Sequence, residues 1–146
     1  MDRAALDAAI ELHIPHGGWC PGGRMAEDGT IDARYNLRET GNADYRTRTR
    51  LNVKDADATL ILNSGKLDGG TALTAEFAKE FKKPCLIIEL ENRQETEIIC
   101  QWFIKNRIQI LNVAGPRSSK CPGIYDAAYK LLLELFSRLQ ASFQHN

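Results

Sequence analysis

The second half of the chain alternates short apolar runs with amphipathic stretches. Apolar runs typical of buried strands cover Ala58–Asn63, 84–90 and 108–113. Each run is followed by apolar residues at helical spacing, within 71–82, within 95–106 and from residue 124 to 139. This order of strands and helices predicts right-handed crossovers and a parallel sheet with helices on both faces.

The first half is less regular. Residues 5, 8, 9 and 12 are apolar and predict a helix over 2–12. Residues 14 to 36 are rich in glycine, proline and charge, with a short strand expected around Gly18 and Trp19; such long irregular stretches are often functional. Residues 37–40 predict another short strand, and Asp44 is placed to cap a helix that runs to about Lys54.

Length and charge narrow the classes of protein. The 146 residues allow one domain, covering 1–146, with room for a core. The 19 basic and 19 acidic residues give a net charge of zero, so the chain lacks the excess of positive charge that is typical of proteins that bind nucleic acids or membrane surfaces. Apolar runs such as 131–133 are too short to span a membrane, and the Met1-Asp2-Arg3 start has no apolar signal core. We therefore expect a cytoplasmic protein with no membrane partner.

The four cysteines predict free thiols. Cys20, Cys85, Cys100 and Cys121 contain no C-x-x-C pair, and zinc sites usually take their ligands in close pairs. A reducing compartment also disfavours disulfides. No metal site is expected.

The loops after the predicted strands carry the candidate chemistry, because ligands of such sheets bind beyond the carboxyl ends of the strands. The first loop ends in Gly69, Gly70 and Thr71 and leads directly into a helix. Glycines allow close backbone approach, and a helix start favours an anion. The alternative is a tight turn with Thr71 as an ordinary N-cap.

The loop after the third strand contains Arg117, Ser118, Ser119 and Lys120 on a Gly/Pro frame. Two bases and two hydroxyls at a helix start suit a phosphate or a similar oxyanion, although a solvated polar loop has the same composition. A third segment holds Arg24 within a glycine-rich stretch, and its adjacent acids at 27 and 28 are candidates for acid/base or metal chemistry or are exposed turn residues. Together the three segments favour an oxyanion-bearing ligand.

Five short motifs then carry a family resemblance: DRAALD at 2–7, HGGWCP at 16–21, RMAEDG at 24–29, GGTALT at 69–74 and LNVAGPR at 111–117. Together they resemble the molybdenum carrier family, the circularly permuted YpsA-type branch of the SLOG superfamily. The resemblance covers essentially the whole chain. It implies a single-domain, Rossmann-like three-layer α/β sandwich with a mainly parallel sheet, related to LOG (lysine-decarboxylase-like) proteins and to algal molybdenum cofactor carriers.

The chain departs from this family at two places. Family members usually begin with a strand and a Gly-Gly-Gln-Thr-Gly loop before the helix that starts here at Asp2. We therefore expect a sheet that lacks this N-terminal strand and glycine loop, through a late-assigned start codon or a truncation. The phosphoribohydrolase relatives have a glutamate three residues after the Gly-Thr threonine, where this chain has Thr74; the nearest acid is Glu76.

Three functional hypotheses follow. The first is a carrier that binds a molybdenum cofactor (molybdopterin) or a nucleotide-derived ligand through its phosphate, without catalysis. Its expected ligand-binding residues are Gly69, Gly70, Thr71, Arg117, Ser118, Ser119, Lys120 and Arg24. The second is a LOG-type nucleotide-processing hydrolase that uses Asp28 or Glu76. The third is a homo-oligomer, a dimer or tetramer, that associates through Leu132, Phe136 and Phe143 of the last helix; it is compatible with ligand binding.

Overall fold

The computed structural model describes residues 2–26, 29–67, 69–90, 95–117 and 119–144. The helices are α1 (Asp2–Glu11), α2 (Tyr45–Asp55), α3 (Gly69–Glu80), α4 (Glu95–Lys105) and α5 (Ile124–Gln144). The strands are β1 (Trp19–Cys20), β2 (Met25–Ala26), β3 (Gly29–Thr30), β4 (Arg38–Glu39), β5 (Ala58–Asn63), β6 (Cys85–Glu89) and β7 (Leu111–Ala114). Within these ranges no helix is both long and apolar enough to cross a membrane.

The central sheet has the order β6-β5-β7, and both strand pairs are parallel. Leu60 of β5 lies opposite Leu86 on one side and Val113 on the other. All six residues of β5 are buried, as expected for a central strand between two helical layers. The predicted α/β fold with a mainly parallel sheet is therefore confirmed.

The helices form two layers because successive side chains of β5 point to opposite faces of the sheet. Leu60 and Leu62 belong to the main core, which also contains buried residues of α1, α4 and α5. A second, smaller core contains Val53 of α2 with Phe77 and Ala78 of α3. The sheet thus lies between a layer with α1, α4 and α5 and a layer with α2 and α3, which makes a three-layer sandwich.

The apolar sequence of strand β6 predicts a buried strand, but most of β6 is only partly buried. It lies at the edge of the described sheet, and the side chain of Ile87 is 41% exposed. The apolar run at 84–90 has the same pattern as the run of β5. Such a pattern indicates an apolar strand but does not tell whether the strand lies at the centre or at the edge of the sheet.

The segment from 14 to 44 forms two small sheets, β1 paired with β4 and β2 paired with β3. The short strands expected near Trp19 and within 37–40 are thus present. Asn52 of α2 fixes this segment: its Oδ1 accepts from the backbone N–H of Trp19 at 2.8 Å, and its Nδ2 donates to the Trp19 carbonyl at 3.2 Å. The Trp19 indole also donates to Asp55. The segment is therefore anchored on α2.

Helix α5 does not present the outward face that was expected of it. Leu132 is fully buried in the main core, because α1 and α4 both pack against α5 and widen its buried stripe. Phe136 packs partly against the same core, and the side chain of Phe143 lies outside the described residues. Self-association stays a prediction, without Leu132 in its surface.

Candidate functional site

A cavity of about 740 Å³ opens at the carboxyl edge of β5 and β7. Its described lining comes from α1, from the segment that includes β1, from α2, from the start of α3, from the end of β7 with the loop after it, and from the start of α5. Its volume lies within the range of small-molecule sites, about 300–1,000 Å³. The cavity therefore occupies the place where parallel α/β sheets bind ligands.

The structure brings four of the predicted residues together. Gly70, Thr71, Arg117 and Lys120 all line this cavity. Gly69 lies just behind them, and a Cβ added at Gly69 would be 2.9 Å from the Nζ of Lys120. The loop after β7 therefore reaches across to the beginning of α3, as the rule for parallel sheets predicts.

The other predicted residues lie elsewhere. Ser119 is exposed and is not among the described residues that line the cavity, and Ser118 lies outside the described residues. Arg24 does not line the cavity. Its guanidinium donates to the carbonyls of Ile31, Asp32, Tyr35 and Leu37, so in this structure it organises the segment that forms one cavity wall.

Helix α3 begins two residues earlier than predicted. Because it starts at Gly69, Thr71 lies inside the first turn and is buried, and it is not an N-cap. The preceding loop is held by Asn63, the last residue of β5, which donates to the Gly65 carbonyl at 2.8 Å and to Glu89 at 3.2 Å. The end of β6 thus helps to hold the beginning of this loop.

Arg117 lies over an aromatic ring of another element. Its guanidinium carbon is 4.6 Å from the centroid of Tyr45, the first residue of α2, and that of Arg48 is 5.6 Å from the same centroid. All three residues line the cavity. Tyr45 and Arg48 carry no local signal of a site, because their role comes from the packing of α2 beside the loop after β7.

A hydrogen-bonded cluster around Asp7, on another part of the cavity wall, was not predicted either. Asp7 of α1 accepts hydrogen bonds from the hydroxyls of Tyr35, at 2.7 Å, and Tyr125. Arg34 donates to the Tyr35 hydroxyl at 2.7 Å and pairs with Asp7 at 3.5 Å. Burial, followed by the bond to Asp7, raises the pKa of both tyrosines, so they stay protonated and donate. The tyrosines are 28 and 118 residues from Asp7, too far for a sequence pattern to join them.

The cavity concentrates positive charge in a chain whose total charge is zero. Its described lining includes five basic side chains and one acidic side chain, Asp7, whereas the whole chain has 19 of each kind. The basic residues are Arg3, Arg34, Arg48, Arg117 and Lys120. Such a lining attracts anions.

The candidate hydrolytic carboxylates are not seen in this lining. Glu76 is exposed on α3 and does not belong to the described lining, while Glu27 and Asp28 lie outside the described residues. Thr74, at the position where hydrolase relatives have glutamate, is buried and donates its hydroxyl to the Gly70 carbonyl at 2.8 Å.

The cysteines are free thiols, as predicted. Cys20 lines the cavity, and burial raises the pKa of its thiol, which disfavours the reactive thiolate. Among the residues that the structure describes, no three histidine, cysteine, aspartate or glutamate side chains cluster as metal ligands.

Comparison with known proteins decides the family. The family model described as the circularly permutated YpsA SLOG family matches residues 1–136. The chain belongs to the circularly permutated YpsA SLOG family. A crystal structure of the "Putative molybdenum carrier protein" of Syntrophus aciditrophicus is similar to this member, with 50% sequence identity and a TM-score of 0.88 over 92% of this chain and 87% of that chain. A comparison with curated proteins finds no match.

Proposed function

We propose that this member of the circularly permutated YpsA SLOG family is a carrier that binds a small phosphate-bearing ligand, either a molybdenum cofactor or a nucleotide-derived molecule. The observation that carries the proposal is the cavity at the carboxyl edge of the sheet, where Gly70 and Thr71 meet Arg117 and Lys120. The similarity to a molybdenum carrier protein supports the first kind of ligand.

The residues fit the phosphate end of such a ligand. Backbone N–H groups at the start of α3 donate to an oxyanion, and the exposed Arg117 and Lys120 supply opposite charge. The Tyr45 ring helps to position the Arg117 guanidinium through a cation–π contact. A molybdenum atom would travel as part of the ligand, which supplies its coordination chemistry when bound.

The alternative, a LOG-type hydrolase, has less support. A general base has to reach the proton that it removes, and the exposed Glu76 is not part of the described lining. Binding without turnover is thus the function that the described residues support best.

Native mass spectrometry with metal analysis, on protein purified gently and without added ligand, tests the carrier function. We expect a bound phosphate-containing molecule: a pterin mass with molybdenum supports a cofactor carrier, and a nucleotide mass supports a nucleotide carrier. Arg117→Ala should lose the molecule while its free energy of unfolding stays within about 1 kcal/mol of the parent, as for a surface substitution.

The matched control is Lys130→Ala, because Lys130 is exposed on α5 and is not in the described lining. It should retain the molecule. Equal retention by Arg117→Ala and the parent would contradict the proposed site. Release of a free base or sugar phosphate from nucleoside monophosphates would instead establish the hydrolase.

A further inference from the structure

The loop after β7 sends two basic side chains to two different helices. Lys120 reaches the beginning of α3, where its Nζ lies 2.9 Å from the position of a Cβ added at Gly69. Arg117, three residues earlier, lies over Tyr45 at the beginning of α2. The backbone N–H of Lys120 donates to the Arg117 carbonyl at 3.0 Å, so a single turn fixes both residues.

The first basic centre consists of Lys120 with Gly70 and Thr71. An ammonium group is a compact charge with three N–H donors, and it lies here beside the first turn of a 12-residue helix. Gly70 has nothing within 4 Å of an added Cβ, so its backbone is open to close approach by a ligand. This centre suits one phosphoryl group.

The second basic centre consists of Arg117 and Arg48 around Tyr45. Both guanidinium groups lie over the same ring. A guanidinium has five N–H donors, so contact with the ring is compatible with donation to an oxyanion. Tyr45 is itself 39% exposed, which keeps this centre accessible.

The Asp7 wall is closer to neutral. Its carboxylate accepts from two tyrosine hydroxyls and is paired with Arg34, so the negative and positive charges on this wall largely offset each other. The anionic part of a ligand is therefore attracted more strongly to Lys120 and to Arg117 with Arg48.

We infer that the ligand carries two phosphoryl groups, as a diphosphate or a bisphosphate does, with one at the Lys120 centre and one at the Arg117–Arg48 centre. The inference rests on the proposed function and specifies its ligand class. A single phosphate monoester carries at most two negative charges, about what one of these centres neutralises. Two centres in one cavity match a more highly charged group.

Inorganic phosphate and pyrophosphate are the probes that separate one centre from two. By isothermal titration calorimetry at a fixed low salt concentration, the parent protein should bind pyrophosphate at least about tenfold more tightly than phosphate, because charge-assisted hydrogen bonds form at both centres. Raising the salt concentration should weaken pyrophosphate binding more steeply than phosphate binding.

Two substitutions then assign the centres. Arg117→Gln and Lys120→Gln should each keep phosphate binding at the centre left intact and reduce the preference for pyrophosphate to less than about threefold. Lys130→Gln, outside the described lining, is the matched control and should preserve the full preference.

The outcomes distinguish the two proposals. If the parent binds both probes equally, or if Arg117→Gln keeps the preference for pyrophosphate, the two-phosphoryl inference is wrong and the phosphate site stands. If neither probe binds the parent, the proposed phosphate site fails as well.

Discussion

At the scale of single residues, the start of α3 combines a left-handed glycine with a close lysine. The φ angle of Gly69 is +50°, and the position of its absent Cβ lies 2.9 Å from the Lys120 Nζ. Glycine therefore serves both the backbone conformation and the approach of the ammonium group to α3.

Gly69→Ala tests this dependence. The new Cβ should displace the Lys120 ammonium and weaken pyrophosphate binding about three- to tenfold by calorimetry, and left-handed backbone should cost about 1 kcal/mol of unfolding free energy. Gly41→Ala is the control, because an added Cβ at Gly41 has nothing within 4 Å and its φ is not positive. Unchanged binding in Gly69→Ala would show that Lys120 does not act from this position.

At the scale of elements, the cavity wall is built from a segment with little regular structure of its own. The strands described in the segment 14–44 are two residues long, and the segment is held by side chains of α1 and α2. Asn52 provides the most direct link, since one amide group satisfies both the N–H and the carbonyl of Trp19. The wall is thus attached through a few polar contacts.

Asn52→Ala should detach this wall locally. Removing both bonds leaves the half-buried Trp19 backbone without these partners, and we expect a loss of about 1–3 kcal/mol of unfolding free energy. Hydrogen exchange should become faster at residues 19 and 38–40 and stay unchanged in β5.

Asn106→Ala is the corresponding control. It removes a single exposed bond to the Trp102 carbonyl, at the far end of α4, and should change stability by less than about 0.5 kcal/mol. Equal protection of residue 19 in the parent and in Asn52→Ala would refute the anchoring role of Asn52.

At the scale of the whole molecule, the two edges of the sheet have different tasks. The carboxyl edge carries the cavity, whereas Asp57 at the amino edge ties β5 to β7. Its Oδ2 accepts from the backbone N–H groups of Ile110, at 2.8 Å, and Gln109, at 3.0 Å. These bonds hold the pKa of the Asp57 carboxyl below its ordinary value, chiefly through Ile110. Stability and binding can therefore be changed separately.

Asp57→Asn should lower stability without altering anion binding. Because the folded pKa is depressed, the contribution of Asp57 is full at pH values above its unfolded pKa, about 4, and is lost as the pH falls through the folded value. We expect a deficit of about 1 kcal/mol at pH 7, since Asp57 is exposed.

Urea unfolding of the parent and of Asp57→Asn at several pH values measures this difference. The deficit should shrink steadily as the pH falls below about 4. A deficit that is independent of pH would mean that the carboxylate charge is not its source.

Sequence patterns predicted the parts of the fold and site that depend on local order. The apolar run of β5 and the glycines at the start of α3 are such cases. Because loops that follow parallel strands lie at the same edge of the sheet, the sequence also predicted that Gly70 and Thr71 lie near Arg117 and Lys120.

The features that the sequence did not predict depend on contacts between residues that are far apart in the chain. The edge position of β6 follows from strand order, the cluster at Asp7 joins residues up to 118 positions apart, and Arg24 binds backbone carbonyls, which no residue pattern encodes. Tyr45 was predicted only as part of the helix that Asp44 caps.

The anchored Trp19 gives the protein an optical signal of its own. The chain has two tryptophans. Trp19 lines the cavity under the Arg38 guanidinium, 4.2 Å from the ring centroid, whereas Trp102 packs against the main core from α4. Excited at the same wavelength, Trp19 should change its emission when the cavity fills, and Trp102 should provide a constant background. Occupancy can therefore be followed by fluorescence without attaching a label to either partner.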